Sequence, residues 1–483
     1  MSAIFTPYTT VAPYLRGMPQ WVPEEDAQRI ASYQTYEEIY WNNPTVFELV
    51  HRGSNERPIY IPNARTIVDT TAHFLLKGLE IGFTDPEANA DAALALQSFL
   101  RRERFYSKFN IAKHSGVVRG DFILHMTADP EKMEGRRISI NSVDPASYFP
   151  VSDDDDLDRI DRVHLVEQFE NEEEEIVVRK LSYWYEGEGD LRTVWRSEAI
   201  FELDDAFEPD VTPLEVTIPP AALPPEVTTI PVYHFQNIGW QGQPYGSSEL
   251  RGLERLLGAV NQSVSDEELA LALEGLGVYG TDADSPTNEN GDEVPWTIGP
   301  GKVIEHELGR KIYRVPGVGN ITPSQDHIGY LEQKLFEASG TSEVARGAID
   351  VGVAESGIAL AIKFVPMAAK IEMRDQVGID VLTQFFYDWK AWHSAYEGPD
   401  FRELEILPSI GEKLPLNRKA IREELDSMLE NKVISRAFYR QKMSELFDYE
   451  FPEDMENEIV NEEARLIEAL DMMGARVNGE LGD

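Results

Sequence analysis

The sequence predicts an α+β fold, and three observations carry the prediction. Between residues 122 and 202, short runs rich in Val, Ile, Tyr and Trp alternate with Asp, Glu and Gly turns, the pattern of a strand meander. Leu250, Leu253, Leu257, Val260 and Val264 repeat at alternating three- and four-residue spacing, one narrow stripe of a helix. A strand-and-turn stretch, 275–323, separates that helix from a second one and from a very long third. The 483 residues suffice for about three domains, and 42% hydrophobic with 10% aromatic residues argue for a folded chain.

Taken in order, residues 23–40 read as a helix with Ala27, Ile30, Tyr33 and Ile39 inward, and 59–62 as a short extended piece. Residues 63–77 are helical, with Ile67, Val68, Ala72, Leu75 and Leu76 on one face, and 79–83 alternates like a strand. Helices are expected at 86–102 and 105–118, the second closing into Gly120 and Asp121. Strands are expected at 122–127, 137–151, 159–168, 176–185, 191–202 and, last, 230–235. The acidic runs 153–156 and 172–175 lack the loop spacing of a calcium-binding EF-hand, so solvated hairpin turns explain them better. Pro209, Pro213, Pro219, Pro220, Pro224 and Pro225 remove backbone donors from one stretch, which suits an extended surface connection.

The module at 275–323 contains a literal G-x-G-x-x-G, Gly275 to Gly280. A dinucleotide site needs a strand before that motif and a helix after it, and here the order is reversed. Gly301-Lys302 lacks the upstream glycine and following hydroxyl of a P-loop. Asn290-Gly291 is a hairpin signal that would join strands near 276–281 and 294–298, with 302–306 and 311–315 completing a small sheet.

Ile328, Leu331 and Leu335 mark a helix over 324–340, and periodicity then vanishes across a glycine-containing loop, 341–356, whose charges are Glu343, Arg346, Asp350 and Glu355. Helical spacing resumes at Ile358, Ile362, Val365, Met367, Ile371, Val377, Val381 and Phe385 and runs to about Trp392. Such a helix spans roughly 50 Å, several times the usual length. Pro366 sits inside it and is expected to kink it. A strand at 401–407 precedes helices at 417–431, 437–446 and 452–470, with Ser435 as a helix cap. The acidic end, 472–483, is expected to fray.

Helix, β module, helix, glycine-containing loop and long kinked helix is an unusual order. It resembles the portal proteins of long-tailed (siphovirus-type) bacteriophages. The residues that carry the likeness are Gly246-Ser247-Ser248-Glu249-Leu250, opening the first helix, and Glu355-Ser356-Gly357-Ile358-Ala359-Leu360, opening the long one. The motifs are short; their order and spacing are more specific, and the likeness spans nearly the whole chain.

The resemblance implies a wing at 1–246, a first stem helix at 247–274, a clip at 275–323 and a second stem helix at 324–340. A tunnel loop at 341–356, a return to the wing at 357–405 and a crown at 406–483 complete it. It implies a dodecameric ring at one capsid vertex of the virion, made in the host cytoplasm and serving as the channel for packaging and ejecting double-stranded DNA. Implied partners are the terminase large subunit, the head-tail connector or adaptor protein, and the major capsid and scaffold proteins. Arg346 in the loop would face DNA phosphate or pair with Glu343, Asp350 or a neighbouring subunit. Lys334 would join a basic stem ring or pair with Glu337 or Glu332. Asp282, Asp284, Glu289, Asp292 and Glu293 would meet clip partners or simply keep a hairpin soluble.

The formal charge, −42 from 86 acidic and 44 basic residues, predicts weak general affinity for nucleic acid. A conduit is the exception, because a repulsive wall lets the polymer slide. Cysteine is absent, which excludes disulfides and suits a reducing compartment. Residues 1–13 show no signal-peptide pattern, and the most apolar window, 358–373, is interrupted by Lys363, Pro366 and Lys370, so no membrane span is expected. No His-Glu-x-x-His, no Gly-x-Ser-x-Gly and no metal spacing among nine histidines is present, so neither an enzyme nor a cofactor is expected. Energy for translocation would then come from a partner. Two other classes remain open: an acidic cytoplasmic scaffold without a channel, and a hydrolase built on a carboxylate pair.

Overall fold

The computed structural model describes residues 24–51, 57–83, 89–153, 156, 159–171, 175–187, 189, 192–203, 212–276, 278–282, 284–288, 290–294, 309–315, 320–347, 357–411, 418–447, 455 and 465. The chain divides into two compact units, Met1–Lys413 and Leu414–Asp483. It is an α+β protein.

The first unit opens with four helices, α1 (Glu24–Tyr40), α2 (Asn63–Phe74), α3 (Ala90–Arg102) and α4 (Phe105–Arg119). The α2 helix ends three residues before the expected 77, because Leu75 is extended and Leu76 turns left-handed at φ +49. Asp375 accepts the Leu76 amide at 2.8 Å and so holds that turn. Gly120, at φ +116, closes α4 in the left-handed cap that glycine tolerates best.

Two sheets follow. Strand β2 (Asp121–Ala128) lies between β3 (Ile138–Val143) and β9 (Val232–Gln236), all antiparallel. The meander β4 (Tyr148–Ser152), β5 (Ile160–Glu170), β6 (Ile176–Glu186), β7 (Thr193–Glu202) and β8 (Glu215–Ala222) forms the other sheet in chain order. The single strand expected at 137–151 is therefore two strands in two sheets. Asp144 accepts the Ala146 amide at 2.8 Å, and the 3-10 turn Pro145–Ser147 redirects the chain between them. The proline-rich stretch supplies β8, which carries Pro219 and Pro220 at a sheet edge, where a missing amide breaks no inner ladder.

Helix α5 (Glu254–Leu276) leads into β10 (Val278–Thr281), which pairs antiparallel with β11 (Ile312–Val315); α6 (Thr322–Ser339) follows. Among the described residues β10 pairs with β11, one of the strands expected in the small sheet; the expected neighbour 294–298 lies outside the described residues apart from Val294, as does 302–306. Helix α7 (Gly357–Tyr396) runs for 40 residues, about 60 Å at the usual rise. Pro366 lies within it and leaves the Ile362 carbonyl without its helical donor, the source of the expected kink. The last strand of this unit is β12 (Ile406–Ile410), shifted from the expected 401–407, and it pairs with β1 (Leu79–Phe83). This strand belongs to the first unit, Met1–Lys413.

The main core is aromatic and collects α4, β2, β9 and α7. Phe122 stacks on Phe235 at 4.3 Å, Tyr233 meets Phe385 edge-on at 4.9 Å, and Phe105 contacts Phe386 at 5.5 Å. Such pairs add to the area they bury. Of the two acidic runs, 154–155 and 172–174 lie outside the described residues; beside the second, the Asn171 amide donates to the Glu175 carbonyl at 2.9 Å.

The second unit contains α8 (Arg418–Glu430) and α9 (Arg436–Phe447), with Ser435 capping α9 through the Phe438 amide at 3.1 Å. The Tyr439 hydroxyl reaches Asp426 at 2.5 Å and ties the two helices. The helix expected at 452–470 lies outside the described residues apart from its isolated positions 455 and 465.

Lys113 on α4 donates to the Leu75 carbonyl at 2.8 Å, and burial lowers its pKa from 10.5 to about 8. The unfolded chain keeps that proton to higher pH, so between these values it binds more protons than the folded protein. Stability contributed by this residue therefore rises from pH 8 to 10.5, by up to about 3 kcal/mol. Lys113→Met should flatten that rise, measured as the wild-type minus variant difference in denaturant unfolding at about pH 8 and about pH 10.

Candidate functional site

The segment before α5 is held by the end of α4 and the start of β2. The Gly246 amide donates to Asp121 at 2.7 Å, and the Glu249 amide to the Val117 carbonyl at 3.1 Å. The Ser248 hydroxyl donates to the Val118 carbonyl at 2.5 Å and accepts the Leu250 amide at 3.1 Å. A Cβ at Gly246 would lie 2.4 Å from the Gly120 carbonyl oxygen, so only glycine fits there. Burial pushes the Asp121 carboxyl up, but His234, Tyr33 and the Gly246 amide outweigh it and hold it below the usual range.

This turn delivers Glu249 to α7. One carboxylate oxygen pairs with Lys370 and the other with Arg374 at 2.6 Å, and the Glu249 side chain is 2% exposed. Lys370 also donates to the Ser339 carbonyl at 2.8 Å and to Thr71 at 3.3 Å; Arg374 donates to Asn237 at 3.2 Å. Burial lowers the Lys370 pKa, and Glu249 opposes it. One carboxylate thus joins the approach to α5, the end of α6, and α7. Sequence reasoning quoted Glu249 without a role and noted Lys370 only as a break in an apolar window. The available signal was two cations four residues apart on one helix face, with Met367 and Ile371 beside them.

At the far side of Ser339, Gly340 caps α6 at φ +66 and begins the loop. Glu343, Arg346 and Pro366 line one cleft of about 520 Å³ with Phe336 and Lys363. The Arg346 guanidinium lies 3.6 Å from the centre of the Phe336 ring, a cation–π contact, and its Nε is buried without a hydrogen-bond partner. Among the described residues no carboxylate pairs with it, and Glu343 is exposed. Asp350 and Glu355 lie outside the described residues. Lys334 stands apart from the cleft on α6 and pairs with Glu337 at 2.6 Å, while Glu332 accepts from Asn63 at 3.3 Å.

In the inserted module, Asp282, Asp284, Asp292 and Glu293 are exposed, and Glu289 lies outside the described residues. Asp282 accepts the Lys311 amide at 2.6 Å and Asp284 pairs with Arg310 at 3.2 Å, so both help close the β10 and β11 pair. Asp292 accepts from Asn288 at 3.2 Å in the turn at Gly291, and Glu293 bridges to Thr287. Gly291, at φ +88, is the left-handed turn residue that the sequence signalled. The chain matches no protein-family model and no curated protein. Among the described residues no helix is long and apolar enough to cross a membrane.

Glu249→Gln would leave Lys370 and Arg374 buried with no counter-charge. A loss of about 3–5 kcal/mol is expected in denaturant unfolding, since breaking one partner of a buried pair costs far more than the pair contributes. Replacing Lys370 by Met in the same chain should recover part of it, as a double-mutant cycle measures.

Proposed function

We propose that this chain is the subunit of a phage portal, a ring whose channel passes double-stranded DNA during packaging and ejection and whose clip docks a terminase motor and head-tail connector proteins. The observation that supports it most is the sequence of parts between Glu254 and Tyr396: a helix, a β-paired module, a second helix, a loop and a 40-residue helix. The antiparallel pair of β10 with β11 brings α5 and α6 back side by side, and Gln325 on α6 donates to Glu267 on α5 at 3.3 Å. These are the parts expected of stem, clip and tunnel loop.

The long helix adds a second support. Phe364, Met367, Ile371, Leu382 and Phe385 are buried on one face, while Ile362, Val365, Met373 and Val377 are 65%, 58%, 76% and 45% exposed on the other. An apolar stripe of that length on an acidic chain suits a subunit interface. Heterologous contacts that close a ring put such a stripe against a different face of the next subunit. Arg346 and the loop would then stand toward the channel, and the exposed clip carboxylates toward its outer partners.

The native mass of the purified chain, with negative-stain images of the same fraction, tests the reading. A discrete large ring with a central hole is expected. A monomer at high concentration would overturn it in favour of an acidic scaffold. Met373→Glu should leave the far-ultraviolet circular dichroism unchanged, because the side chain is already exposed, yet abolish the ring.

A further inference from the structure

A cleft of about 690 Å³ between α2 and α4 runs against the charge of the whole chain. Its lining carries Arg65, Lys77 and Lys113 against one carboxylate, Asp69, in a protein of net charge −42. That carboxylate is already engaged. It accepts from the Tyr40 hydroxyl at 3.0 Å, contacts the His114 ring at 2.8 Å and pairs with Arg65 at 3.4 Å.

Lys113 is the unusual member. It is 6% exposed, and its only partner among the described residues is the Leu75 carbonyl at 2.8 Å. An ammonium has three donors, and a buried charge without a counter-charge is costly. Lys370 meets the Glu249 carboxylate, and Lys390, as buried as Lys113, donates to two carbonyls, those of Arg402 and Leu404, where Lys113 has one. Tyr106, Phe109 and Leu79 give the same cleft an apolar wall, and His73 stands exposed at its mouth.

We propose that this cleft binds an oxyanion, a carboxylate or a phosphate carried on an apolar body, with Lys113 as its buried counter-charge and Arg65 and His73 at the entrance. The bound group completes the hydrogen bonding of the ammonium, and the aromatic wall takes the body. The site is separate from the loop and clip residues of the portal reading and does not depend on that reading.

Isothermal titration of the full-length protein at constant ionic strength, with phenyl phosphate and with phenylpropionate, tests it. The two probes share a body and differ in headgroup. Saturable binding of either supports the site, and the tighter one identifies the headgroup. Lys113→Met should weaken it about tenfold, ~1.4 kcal/mol, and Arg65→Gln by a smaller factor. Lys132→Gln, at an exposed position outside the cleft, should change nothing. If Lys113→Met does not fold, Arg65→Gln and His73→Gln carry the test, since both side chains are on the surface. Absence of saturation with both probes, or wild-type affinity in the cleft variants, would overturn the proposal.

Discussion

Glu249 is the constraint on which the arrangement of the long elements depends. Its carboxylate is buried, so it must be neutralised, and the cations that neutralise it stand one turn apart on α7. Lys370 in turn takes the last carbonyl of α6, that of Ser339, and Arg374 reaches Asn237 behind β9. Asn237 donates back to the Ser247 carbonyl at 3.1 Å, which returns the network to the turn where it began. Hydrophobic contact alone would allow α7 to slide or rotate against its neighbours. A buried carboxylate with two fixed partners permits one register, because any other leaves charges unpaired in a dry site. Gly246 serves the same end, since the backbone of Gly120 occupies the space where a side chain would begin.

Most of the elements were legible because each is set by its own residues. Alternation gave the meander, and the stripe at Leu250, Leu253, Leu257 and Val260 gave α5, although the helix itself starts only at Glu254 and Leu250 and Leu253 are buried in the turns before it. What was not legible is what distant residues decide. The pairing of Leu79–Phe83 with Ile406–Ile410 joins strands too far apart in sequence for any local pattern to match them, and Pro408 argues against a strand until its place in a two-stranded sheet is known. The ladder of β10 with β11 likewise joins strands some thirty residues apart, a register that no local pattern sets.

The candidate site divides along the same line. Arg346, Glu343 and Pro366 were found as charges and a breaker in a non-periodic stretch, and they do share one cleft. That Lys334 pairs with Glu337 could be weighed from sequence but not chosen, and that Arg346 lies over Phe336 was not among the alternatives the sequence offered. Glu249 and Lys113 were harder still. A charged residue in an apolar stretch reads as an interruption, and only the fold distinguishes Lys370, which meets a carboxylate, from Lys113, which meets a carbonyl.

The distribution of charge also bears on how copies of this chain would associate in the proposed ring. With 86 acidic residues against 44 basic ones, and with buried acids such as Asp121, Glu249 and Asp388 matched by buried bases such as Lys113, Lys180 and Lys390, the exterior keeps the strong negative charge of the composition. Two copies approaching in solution repel each other, and the repulsion falls off over a Debye length of about 8 Å at physiological salt. Attraction must therefore be short-ranged and largely apolar. The exposed side of α7 at Ile362, Val365, Met373 and Val377 has that character, and Glu372, Asp380 and Lys363 flank it. In the proposed ring, such a stripe would draw neighbours together only after close approach, while the carboxylates beside it would discriminate against poorly aligned encounters. The acidity that would keep DNA from adhering to a channel wall would thus also reject subunits that dock out of register.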